Sequence, residues 1–127
     1  MTFGRTEPRA QKALSRGLVS GIFMMGGVGA LMAPEAHAQA AKGVLPEGLA
    51  TQGARANGAV MVGAGALFAA GAFGKWPAYA LAATLVPVTL LGHRFWEKEG
   101  QEKRTELIQV LKNVALFGAV LYVAGER

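Results

Sequence analysis

Four stretches of this chain carry no charged residue: Gly17 to Met32, Gly58 to Gly74, Trp76 to Gly92 and Val114 to Gly125. Both histidines, His37 and His93, also lie outside them. A helix needs about 20 mostly apolar residues to cross the hydrocarbon layer of a bilayer, and flanking Ala, Gly and Leu bring each stretch close to that length. Spans are expected near 13–32, 56–74, 76–95 and 104–124. The residues left over are too few for a separate soluble domain. The expected fold is therefore all-α, a single polytopic membrane domain: a four-transmembrane-helix bundle with a long first loop carrying short interfacial helices.

The hydrophobic fraction of 52% discriminates little, because soluble chains also approach half apolar residues. Clustering of charge decides the matter. The net charge is +5, from 13 Lys and Arg against 8 acids, all Glu. In a soluble chain this excess would suggest nucleic acid. Here the basic residues sit at the ends of apolar runs, where membrane proteins place them, so the bilayer is the expected partner and nucleic acid is not. The absence of Cys excludes disulfide exchange, thiolate metal binding and a thiol relay by this chain.

The beginning also imitates a secretory signal. Arg5, Arg9, Lys12 and Arg16 precede an apolar core, and Ala36-His37-Ala38 resembles a cleavage site. Cleavage there would remove the first span. The apolar stretch is longer than a usual signal core, which favours a span.

Gly17 and Gly21 form a GxxxG step in the first helix, and Gly26 with Ala30 continues the small-residue theme. Such steps allow close helix approach. Pro34 ends this helix, and Pro46-Glu47 interrupts the connection that follows. Ala66, Ala70 and Gly74 make a second small-residue stripe, and Asn57 is expected to cap the second helix at the interface. Gly74-Lys75-Trp76-Pro77 predicts a tight turn between antiparallel helices, with Trp76 in the interfacial aromatic belt. Pro87 falls inside the third helix, where it removes the amide donor to the Ala83 carbonyl and predicts a kink. Thr84 or Thr89 is expected to help satisfy the freed backbone.

With four spans, Arg5, Arg9, Lys12, Arg16, Lys75 and Arg127 share one side, while Lys42, Arg55, Arg94, Lys98, Lys103, Arg104 and Lys112 share the other. The totals nearly balance. The basic flank of the first helix then favours termini in the cytoplasm and a multi-pass protein of the cell membrane.

Most polarity near the apolar runs gathers where the third helix meets the fourth. His93, Arg94, Trp96 and Glu97 leave one; Glu106, Gln109, Lys112 and Asn113 enter the other. Glu102, Glu106, Gln109 and Asn113 recur at helical spacing and share one face. Ionisable residues at membrane depth are costly and often functional. The competing structural reading is that Arg94 and Lys112 snorkel to lipid phosphates, that Glu106 pairs with one of them, and that Phe95 and Trp96 anchor the interface. The candidates for ligand or partner binding are His93, Arg94, Trp96, Glu106, Gln109, Lys112 and Asn113. No catalytic residue or metal set is identified. His93 is suited to proton transfer, and as a lone interfacial His it makes a poor haem ligand.

The stretches Ala56-Asn57-Gly58 through Gly71, Leu85-Val86-Pro87-Val88-Thr89, Gly92-His93-Arg94-Phe95-Trp96-Glu97 and Leu111-Lys112-Asn113-Val114 with Gly118 resemble the DoxX family over roughly residues 10–124. At Gly29 to Leu31 and at Asn57 the chain departs from the family's pattern, so no role is carried over to those positions. The resemblance implies a four-helix membrane bundle associated with quinone-linked oxidoreductases, some relatives being described as anchors for redox proteins. The leading expectation is a non-catalytic accessory or anchor subunit of a redox-linked or envelope membrane complex. The alternative is a quinone-interacting oxidoreductase subunit, with quinone the one ligand implied and membrane-associated redox proteins the partners. A small transporter ranks last.

Overall fold

The computed structural model describes residues 9–125, and the described residues are helical with no strand. Five α-helices follow in order: α1 (Arg9–Met32), α2 (Pro34–Ala38), α3 (Glu47–Ala70), α4 (Trp76–Gly92) and α5 (Gly100–Gly125). Two 3-10 turns, Gln39–Ala41 and Phe95–Glu97, lie in the connections. α1 ends just before Pro34, as expected, and the chain enters a new helix at Pro34 and again after Pro46. Pro34 opens α2, and Pro46 immediately precedes α3, whose first turn carries Glu47. Proline suits a helix start because its missing N–H would be unpaired there anyway. The expected second helix at 56–74 thus starts nine residues sooner and absorbs the segment expected to be a separate interfacial helix. The first loop shrinks to residues 33–46, holding α2 and one 3-10 turn. The first, third and fourth helices extend over 9–32, 76–92 and 100–125 rather than 13–32, 76–95 and 104–124.

The four long helices alternate in direction. Gly27 meets Gly58, Met24 meets Gly65, and Arg16 meets Ala69, so α1 and α3 are antiparallel. Thr89 to Asn113 and His93 to Glu106 fix the same relation for α4 and α5. The α1–α3 pair is the most extensive contact. Its closeness comes from glycine, though not from the Gly17–Gly21 step. A Cβ on Gly27 would stand 2.7 Å from the Gly58 carbonyl oxygen, and one on Gly58 would stand 2.9 Å from the Gly27 oxygen. Gly17 and Gly21 have no neighbour within 4 Å of such a position. Ala66, Ala70 and Gly74 are exposed as well, and the small residues buried in α3 are Ala50, Gly58, Ala64 and Gly65.

α3 ends in a Schellman motif. Gly71 adopts φ +72°, the Gly71 amide donates to Phe68 O and the Ala72 amide to Leu67 O. This is the left-handed conformation that glycine adopts without steric cost. Arg16 of α1 completes the end, its Nε donating to Ala69 O at 3.4 Å. Arg16 therefore serves the negative end of the α3 dipole instead of reaching freely toward lipid headgroups. Arg16→Met is expected to lower thermal stability in detergent by about 1 kcal/mol, measured by circular dichroism, and Arg16→Lys by less.

The core is made of small residues around a few large ones. Phe23, Leu81 and Val120 are completely enclosed, joined by Met61, Phe68 and Leu85 and by alanines at 64, 78, 82 and 124. The outer surface is lined by large apolar side chains. On α1, Leu14, Leu18, Ile22, Met25, Val28 and Met32 are exposed; on α5, Ile108, Leu111, Val114, Phe117 and Leu121. Tyr79, Val86 and Leu90 continue this surface on α4, and Val60 and Leu67 on α3. Exposed aromatic residues gather toward the ends: Phe73, Trp76 and Tyr122 at one, Trp96 at the other. α1 and α5 are long and apolar enough to cross a membrane. α3 carries Arg55 and Asn57 among its residues, and α4 has 17 residues, the low end of the spanning range of about 17–25.

Candidate functional site

The polar cluster expected between the third and fourth helices divides into three groups. In the first, His93 Nδ1 donates to Glu106 Oε2 at 2.9 Å, closing α4 against α5. Both side chains are about three-quarters buried, at 23% and 25% exposure. Asn113 belongs with them: it is 4% exposed and donates from Nδ2 to Thr89 Oγ at 3.0 Å. In the second, Arg94 pairs within its own turn, Nε to Glu97 Oε2 at 3.1 Å, and Trp96 stacks edge-on against Phe95. In the third, Lys112 is exposed and donates to Gln109 Oε1 at 2.7 Å. Neither Arg94 nor Lys112 is the partner of Glu106; His93 is. The helical face runs from exposed Glu102 through half-buried Glu106 and Gln109 to buried Asn113, so polarity is carried progressively into the α4–α5 seam.

Beside the His93–Glu106 pair lies a cavity of about 1000 Å³. It is bounded by α3 and α4, by the end of α1 near Gly26 and Ala30, and by the connection from Ala36 to Leu45. A cluster of Ala38, Ala41 and Ala50 with Leu91 holds that connection against α3 and α4. The lining is alanine, glycine, valine and leucine, with four polar side chains: His37, Asn57, Thr84 and His93. Pro87 also lines it, as does Ala83, whose carbonyl loses its helical donor to the proline. α4 continues as helix through Pro87.

Sequence reasoning placed His93 here and missed the other three. Asn57 is not an interfacial cap. It lies ten residues inside α3, donating from Nδ2 to Thr84 O at 3.4 Å and to Met61 Sδ at 3.6 Å. The Thr84 hydroxyl donates to Leu81 O at 2.6 Å instead of reaching the Ala83 carbonyl, and Thr89 is occupied by Asn113. His37 is exposed at the rim and donates from Nδ1 to Ala33 O at 3.2 Å. One signal for Asn57 was present, a lone amide four residues from Met61 in an otherwise apolar run. Starting α3 at Pro46-Glu47 would have placed that amide inside the helix.

Chemically, the arrangement is a half-open greasy cleft with a few fixed polar atoms, a make-up suited to a small amphipathic molecule. No group of three or more His, Cys, Asp or Glu among the described residues is placed to hold a metal ion. No family model matches the chain, and neither does any curated protein or solved structure.

Proposed function

We propose that the chain is a four-span protein of the cell membrane, resembling the DoxX family, that binds a quinone-class lipid as a subunit of a redox-linked complex. Its termini lie on the cytoplasmic side. The cavity beside His93 carries the ligand reading: its volume suits a substituted ring with the first part of an isoprenoid tail, and its polar atoms are few and fixed. The membrane reading is supported by the distribution of size and polarity. Large apolar side chains face outward on all four long helices, while Gly, Ala, Ser20, Thr84 and Asn113 are buried. Outside the hydrocarbon region, Trp76 and Trp96 would sit at opposite interfaces.

The test is binding of decyl-benzoquinone and its hydroquinone to the protein in nanodiscs, followed by titration calorimetry. Ala83→Phe projects a ring from the cavity wall and is expected to weaken binding of both forms at least about tenfold, roughly 1.4 kcal/mol. Unchanged affinity in this variant would refute the site.

The anchor role is a second reading, favoured by one observation. Gly17 and Gly21 leave an open small-residue face on α1, the kind of surface on which another membrane helix packs closely. Gly21→Leu is expected to abolish co-purification of a partner subunit in mild detergent while leaving ligand binding intact.

A further inference from the structure

The hydrogen-bonding inventory of the cavity is one-sided. Each polar side chain that lines it has already spent its donors within the protein. Both Nδ2 hydrogens of Asn57 are directed to Thr84 O and Met61 Sδ, and the carbonyl acceptor at Thr84 fixes which end of the amide is nitrogen. The Thr84 hydroxyl proton goes to Leu81 O. His37 and His93 each place Nδ1 against an oxygen that can only accept, Ala33 O and the Glu106 carboxylate, so each Nδ1 carries the proton. What remains on these side chains is acceptors: Nε2 of both imidazoles in their neutral form and Asn57 Oδ1; Ala83, whose carbonyl loses its helical donor to Pro87, is also a lining residue.

A quinone headgroup presents only acceptors. It would desolvate its carbonyls among other acceptors and gain no hydrogen bond, a cost of about 1–3 kcal/mol for each buried unpaired group. A hydroquinone or other phenol presents donors. We infer that the cavity selects the hydroxyl-bearing form of its ligand, with His93 Nε2 accepting the phenolic proton and Glu106 acting as the positioning residue. The Glu106 carboxylate holds the imidazole in the tautomer that leaves Nε2 as acceptor, and it stabilises the imidazolium if the proton transfers fully. A carboxylate behind the general-base imidazole of hydrolytic triads has the same two effects. In the balanced step the phenol O–H bond breaks, a N–H bond forms at Nε2, and the phenolate oxygen keeps the electron pair. No electron leaves the ligand in this step. This inference rests on the cavity being a ligand site, as proposed above.

Two matched probes separate the inference from that reading: para-decylphenol, and its methyl ether, which has the same ring and tail and no donor. The phenol is expected to bind the protein in nanodiscs at least about tenfold more tightly than the ether. His93→Phe is expected to remove the preference, the phenol then binding no more tightly than the ether. Glu106→Gln keeps an acceptor oxygen but loses the charge, and is expected to give an intermediate preference. In the unaltered protein, the ¹⁵N resonance of one histidine Nε2 is expected to move toward the protonated value when the phenol binds, a readout that does not depend on any variant folding. Equal affinity for phenol and ether, or an unmoved Nε2 resonance with the phenol bound, overturns the donor selection. Binding of neither probe overturns the ligand site itself.

Discussion

Gly58→Val is expected to separate α1 from α3. A Cβ at this position meets the Gly27 carbonyl oxygen and the Ala30 Cβ, each at 2.9 Å, and neither neighbour can swing aside because one is backbone and the other is a single methyl on a helix. The added isopropyl group forces the two helices apart along their longest contact. The expected loss is about 3 kcal/mol, the upper end for overpacking a well-filled interior, seen as a lowered thermal midpoint in detergent. Gly27→Val is expected to do the same from the other side, meeting Gly58 O at 2.7 Å. Gly17→Ala and Gly21→Ala, farther toward the start of the same helix, have empty space around the new methyl. They are expected to be neutral or to stabilise by up to about 1 kcal/mol, the propensity difference between Gly and Ala. Equal sensitivity at Gly21 and Gly58 would show that α1 and α3 are not packed as described.

The proposed four-span topology predicts an all-or-none labelling pattern. Because the chain has no Cys, single cysteines report without background. Val44→Cys and Gln101→Cys lie in or beside the connections at one end of the bundle, and Lys75→Cys lies in the turn at the other; all three positions are exposed. In intact cells a membrane-impermeant maleimide is expected to label positions 44 and 101 and to leave 75 unlabelled until the membrane is opened. The reverse pattern would keep the four spans and invert the orientation. Labelling of 44 and 75 together would remove the four-span topology, since α3 separates them.

How much of this could be read from the sequence depended on whether a property is local. The long helices follow from runs without charge, and α4 starts at Trp76, where the Trp76-Pro77 turn predicts, but ends at Gly92, short of residue 95. Boundaries differ where proline has two meanings: Pro34 ends α1, as expected, but also opens α2, and Pro46, expected to interrupt a connection, precedes the start of α3. The glycine seam was misplaced for a different reason. Gly17, Gly21, Gly26 and Gly27 look alike in one dimension, and only the angle at which α3 crosses decides which pair touches. The polar cluster was legible as a neighbourhood, because the turn between α4 and α5 is short. Its pairing was not, since His93, Arg94 and Lys112 all lay within reach of Glu106. The cavity was least legible of all. It is made by alanines and by the path of residues 36–45, and absence of bulk leaves no mark in a sequence except small residues that could equally have been packed tight.

The distribution of side-chain size, small within and large without, reverses the pattern of substitutions this protein can accept over time. In a water-soluble bundle the surface drifts among polar residues and the interior trades one bulky hydrocarbon for another. In the membrane setting proposed above, Leu18, Met25, Leu111 and Phe117 are interchangeable with almost any aliphatic or aromatic residue, because each faces lipid before and after the exchange. Gly27, Gly58 and Gly65 have no room for a larger side chain. Divergent copies of this chain would therefore lose similarity first in the very residues that make it recognisably hydrophobic, and would retain a sparse set of alanines and glycines that ordinary comparison weighs lightly.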